Sequence, residues 1–144
     1  NLTRNKNLYK DFAIQDTFSD RLILFLFHFA FFLKVFKINN EKKILQNIYD
    51  DIFRYLELSI REMGYGDVTI NKKMKIYINN FHSILDKIND WESLSYNYKE
   101  GILITFTNKN YNNSYLVDYF DKYIDTLKKS SLNSYLKGVI TPKF

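Results

Sequence analysis

The chain has no cysteine, one proline, four glycines, one tryptophan and two histidines in 144 residues. Without cysteine there are no disulfides, no thiolate metal site and no cysteine nucleophile, and a reducing compartment suits such a chain. So little proline and glycine argues against a loop-rich or all-β protein. No glycine-rich phosphate loop, no nucleophile elbow and no Glu-x-x-His motif of di-iron bundles occurs. The two histidines have no metal-ligand spacing to each other or to a glutamate. These absences give an enzyme almost no support, and the chain is expected to be non-catalytic and to hold no cofactor and no metal. Positions 1–10 are polar and no short apolar segment with a cleavage site follows, so no signal peptide is expected; a start without Met suggests a processed one.

What is abundant is aromatic: 18% of the residues are Phe, Tyr or Trp, while Ala and Val are scarce. The core must therefore be built from Phe and Tyr. A chain of this length fits one domain and can bury roughly 68–70% of its unfolded surface. The formal net charge is +5, from 21 basic and 16 acidic residues. That balance favours anionic partners such as lipid headgroups or RNA. It equally describes a solvated basic surface that keeps a protein in solution.

The densest apolar stretch is Leu22 to Phe36, interrupted only by His28 and Lys34. Apolar residues fall on every side of a helix drawn through it, so periodicity alone does not assign it. Its fifteen residues are too long for an ordinary buried strand and suit a helix. Such a helix is either a membrane span or the centre of a core. A span needs roughly 17–25 apolar residues, and here Asp20-Arg21 closes one end and Lys34 interrupts the other. The pattern predicts a central helix in a water-soluble bundle, about 22 Å long at ~1.5 Å per residue.

Around it the spacing predicts further helices. Positions 1–15 read as a polar arm with a short helix, docked by Leu8, Phe12 and Ile14. Thr17 or Ser19 can cap the central helix, with Asp20 in its first turn. Asn39-Asn40 breaks the pattern. From Glu41 to Met63, Ile44, Ile48, Ile52, Leu56 and Ile60 recur every fourth residue, widened by Leu45, Tyr49, Phe53 and Met63. Asp50–Arg54 and Glu57–Arg61 fall one turn apart as ion pairs. Gly64 supplies a left-handed residue to end that helix, Gly66-Asp67 completes a turn, and Thr69 or Asn71 caps a helix over 72–89. Asp90 to Ser93 is a break. Residues 94–109 have strand propensity in Leu103 to Thr107, but one strand has nothing to pair with, so helix is predicted. A helix over 114–129 and a short one over 132–137, ended by Gly138, complete the chain. The fold class is all-α: a single-domain bundle of six to seven helices over 16–144, around a wholly apolar helix.

His28 reads as a neutral core histidine bonded to a backbone or side-chain partner, and His82 as a surface or boundary residue. Lys72-Lys73-Lys75 and Lys128-Lys129, with tyrosines for stacking, offer an alternative function as a basic helical module that binds RNA or the ribosome. Dispersed lysines on helix faces are more often simply solvated.

The block Arg61-Glu62-Met63-Gly64-Tyr65-Gly66-Asp67-Val68 resembles the ubiquinol–cytochrome c chaperone family, whose members carry a similar Arg-Glu-aliphatic-Gly-x-Gly-Asp block after a long helix. Asp16-Thr17, Arg21, Leu26 and His28 resemble the family's positions on the preceding helix. Lys73-Met74-Lys75, Asn108 to Tyr111 and Gly138 fit as well. The chain departs from the family at Phe81-His82-Ser83-Ile84, where an aromatic-Tyr-Gly-Arg segment is usual, and at Lys34-Val35, where an Arg-Leu pair is usual.

The resemblance implies an all-helical assembly chaperone for respiratory complex III that binds newly made or apo cytochrome b. It also implies a small partner protein, the ribosome and the anionic inner-membrane surface as neighbours, and no DNA. The implied location is the bacterial cytoplasm beside the inner membrane, or the matrix side of the mitochondrial one. Gly64 and Gly66 are expected to be needed for the shape of the turn. Arg61 and Asp67 are expected to make polar contacts there or with a partner, with Glu62 beside them. Arg21 and His28 are expected to be structural. An aromatic-rich groove for apolar helices is expected on the surface.

Overall fold

A computed structural model describes residues 18–37, 42–107 and 113–132. They form five α-helices, α1 (Phe18–Phe36), α2 (Lys42–Glu62), α3 (Asp67–Ile88), α4 (Tyr96–Thr107) and α5 (Asn113–Lys128), with a 3-10 turn, Trp91–Ser93, before α4. The all-α class is as predicted, and the described residues contain no strand. The described residues hold five of the six to seven helices expected. The predicted arm, the Thr17 cap, the Asn39-Asn40 break, Asn108 to Tyr111 and the last helix beyond Leu132 lie outside the described residues.

α1 is apolar on most sides because helices pack on several of them; Ile23, Phe25, Phe32, Leu33 and Val35 are half-buried at the edge of the core. It packs on α3, α4 and α5. Phe29 stacks on Phe81 of α3 with ring centres 5.0 Å apart. Phe27 meets Phe106 of α4 edge-on at 5.7 Å and Phe120 of α5 at 5.6 Å. Phe31 meets Trp91 at 5.0 Å and Phe120 at 5.1 Å. Burying each such ring contributes about 1.5–3 kcal/mol, and each well-placed pair adds roughly 0.5–1.5 kcal/mol. Among the described residues no helix is long and apolar enough to cross a membrane.

α2 and α3 form an antiparallel hairpin, in which Tyr49 lies against His82 and Phe53 against Phe81. The stripe on α2 is not centred where the four-residue repeat put it. Leu45, Phe53 and Ile60 are buried, while Ile44, Ile48, Ile52 and Leu56 are half-buried along its edge. A four-residue step overshoots one turn by about 40°, so a long series of such steps winds off the core face. Met63 is exposed and lies beyond the helix. The expected Glu57–Arg61 pair forms at 3.8 Å. Arg54 pairs with Asp51 at 3.0 Å rather than with Asp50, which accepts a hydrogen bond from Gln46.

Two helix starts differ from the sequence reading. α1 already includes Ser19, which therefore lies inside the first turn and not at the N-cap position. α3 begins at Asp67, five residues early, with Gly66 at its N-cap position and Thr69 and Asn71 inside the helix. The amide of Ile70 donates to the Gly66 carbonyl at 3.0 Å, and Asp67 in the first turn favours the positive helix end. α4 tolerates Thr105 and Thr107 because their hydroxyls donate to the carbonyls of Gly101 and Leu103 one turn back.

Candidate functional site

The family-like block forms the turn between α2 and α3. Gly64 sits at φ +93°, the left-handed region that side chains resist, and its amide donates to the Arg61 carbonyl at 2.9 Å. Arg61 reaches across the turn and donates from Nη1 to Asp67 Oδ1 at 2.5 Å. That hydrogen bond and the Asp67 charge raise the Arg61 guanidinium above its ordinary value. Arg61 thus ties the last turn of α2 to the first of α3. Gly66, by contrast, has φ −76° and ψ 164°, extended backbone open to any residue. The expectation that Gly66 is needed for backbone shape is therefore corrected. Glu62, Gly64, Gly66 and Asp67 are all exposed.

Arg21 and His28 belong to α1. Arg21 is half-buried in its first turn. His28 is buried, with Nδ1 2.6 Å from the Leu24 carbonyl and Nε2 2.7 Å from the Tyr119 hydroxyl. A carbonyl only accepts, so Nδ1 carries the proton and the tyrosine donates to Nε2. Burial pushes the His28 pKa down to about 4, against the smaller opposing effect of the Leu24 hydrogen bond. A neutral histidine with both nitrogens engaged inside the core is no base for an external substrate. Among the described residues no cluster of His, Asp or Glu is placed to hold a metal ion.

At the other end of the hairpin a groove of about 950 Å³ opens between the end of α1, the start of α2 and the end of α3. Leu33, Leu45, Tyr49 and Leu85 form its apolar lining, and Lys34, Lys37 and Lys42 its basic side. The Tyr49 hydroxyl lies 3.0 Å from His82 Nε2 on one wall. Lys37 and Lys42 make no ion pair among the described residues, whereas Lys34 is held by Glu92 at 2.7 Å. Partial burial pushes the Glu92 carboxyl up, but its hydrogen bonds and the charges of Lys34 and Lys128 outweigh this and leave it below its usual value.

The sequence reading missed the role of Trp91. The supposed break is a buried plug: Trp91 Nε1 donates to Asp121 Oδ1 at 2.8 Å, and Lys99 lies 3.1 Å from the same oxygen and 5.3 Å above the indole ring. The signal was a lone tryptophan between two acids, where the acids suggested solvent.

The fold is thus an all-helical one with a clamped turn at one end of a hairpin and a basic-sided groove at the other, and its central histidine is buried with both ring nitrogens engaged. A family model described as ubiquinol-cytochrome C chaperone matches residues 10–89, and the chain belongs to that family. The matched segment contains α1, α2 and α3, and with them the whole turn and every residue lining the groove. No curated protein matches the chain, and no solved structure matches it.

Proposed function

We propose that the chain is a non-enzymatic assembly chaperone that binds newly made cytochrome b during the biogenesis of ubiquinol–cytochrome c reductase. It works at the inner-membrane surface, on the bacterial cytoplasmic or mitochondrial matrix side, beside the ribosome and with a small partner protein. The observation that carries this reading is the family match, because it spans both surface features and stops before α4. The groove supports it physically. Leucines on a concave wall can hold an apolar helical segment briefly, and Lys37 and Lys42, which make no ion pair among the described residues, favour the acidic flank of such a segment.

Retention of cytochrome b segments on the immobilised chain tests the proposal. Transmembrane segments of cytochrome b are expected to be retained, and less so by a Leu85→Glu variant. Equal retention of unrelated apolar helices, or no retention, contradicts it.

A further inference from the structure

The groove and the core leave unused a set of apolar side chains at the far end of the hairpin. Met63, Tyr65 and Val68 surround the Gly64 turn, and they are 49%, 44% and 71% exposed. Leu58, one turn back on α2, is exposed too. Every residue from Arg61 to Thr69 is exposed. A Cβ placed on Gly64 or Gly66 would meet no atom within 4 Å. The turn therefore stands clear of the other described residues as a convex knob. A concave wall can enclose a helix; a convex apolar knob cannot, but it can sink into the boundary between lipid headgroups and acyl chains.

We infer that this turn is a membrane anchor, inserting Met63, Tyr65 and Val68 into an anionic bilayer surface while Lys72, Lys73 and Lys75 meet the headgroups. The three lysines come four to seven residues after Val68, or about 6–10 Å further along α3 at ~1.5 Å per residue. That matches the roughly 5–10 Å to which apolar faces sink. Lys73 Nζ lies 4.8 Å over the Tyr65 ring, a cation and an aromatic ring side by side at the level where both suit the interface. Lys72 and Lys75 make no ion pair among the described residues, so their charge is available to lipid phosphates. Of the acids near the turn, Glu57 and Asp67 are both held by Arg61, and the exposed Glu62 is outnumbered by the three lysines. The same clamp, with the left-handed Gly64, shapes the knob in advance, so insertion orders little new backbone.

This deepens the proposed function by giving its membrane contact a place, and it rests on that reading only for the identity of the membrane. The full chain, wild type and Tyr65→Trp, is mixed with phosphatidylcholine vesicles with and without phosphatidylglycerol. Trp91 is buried and serves as the constant background. Binding to the anionic vesicles is expected, with a blue shift in the emission of the Tyr65→Trp variant and weakening at high salt. Changing Lys72, Lys73 and Lys75 to Gln should weaken binding about fivefold per lysine, on the order of 100-fold together. Met63→Ser with Val68→Ser should also weaken it, with an unchanged melting temperature because both sites are exposed. No vesicle binding, binding without the blue shift, or binding undiminished in both sets of variants overturns the inference. So does a blue shift with cytochrome b segments but not with vesicles, which would assign the knob to the client. Each of these results leaves the retention experiment standing, so the two readings fail separately.

Discussion

His28 on α1 and Tyr119 on α5, 91 residues apart, share a 2.7 Å hydrogen bond inside the core. It is a buried polar link between the central helix and α5, whereas the Lys34–Glu92 pair is an exposed one. The His28 pKa of about 4 in the folded state lies below the ordinary 6.5 of an unfolded chain. The unfolded chain therefore binds the extra proton between those values, and folding stability falls as pH drops from about 6.5 to about 4. At 1.36 kcal/mol per pH unit this amounts to about 3 kcal/mol, fully present above pH ~6.5. Urea denaturation across that range should show the loss, and a His28→Leu variant should show a curve flatter by about that amount. Equal slopes in both proteins would contradict a neutral core histidine.

The two glycines of the turn should respond differently. Gly64→Val forces a β-branched side chain into positive φ and is expected to cost ~1 kcal/mol or more. A Cβ at Gly64 meets no atom within 4 Å, so the cost comes from the backbone conformation. Gly66→Ser is expected to be neutral or slightly stabilising, since serine suits an N-cap position and the backbone there is extended. Thermal unfolding of both variants separates them, and a loss at Gly66 equal to that at Gly64 would contradict the conformations described.

Asp121 should be needed by two neighbours at once. Its Oδ1 accepts from the buried Trp91 indole and from Lys99. Asp121→Ala leaves the Trp91 N–H without its acceptor, and a loss of about 1–3 kcal/mol is expected in chemical denaturation. Trp91→Ala should cost more, about 3–5 kcal/mol, because it opens a large cavity between α1 and α5. An unchanged midpoint for either variant would show that the 3-10 turn is not part of the core.

The central helix was legible because nothing local competes with a run such as Leu22 to Phe36; its length alone separates helix from strand. α5 was legible for the opposite reason: its apolar residues keep to one face, and Leu116, Tyr119, Phe120, Tyr123, Ile124 and Leu127 are all buried. The start of α3 was not legible, because Gly66-Asp67 has the composition of a turn as well as of a helix start, and only the backbone angles decide between them. Met63 was misplaced because the apolar stripe of α2, which it widens three residues after Ile60, was extended past the end of the helix at Glu62. The family-like block pointed correctly to one turn, yet the Arg61–Asp67 clamp depends on how the chain reverses, which spacing does not encode. The expectation of an aromatic-rich groove is corrected: the groove is lined by leucines, lysines and a single tyrosine, because the phenylalanines are taken up by the core and its walls come from three helix ends distant in sequence.

Deleting the chain's gene in the host and following pulse-labelled cytochrome b tests most directly the proposal that the chain serves cytochrome b. Synthesis should continue while the protein fails to accumulate and complex III is lost, with other respiratory complexes retained. Normal accumulation of cytochrome b in the deletion strain would contradict the claim.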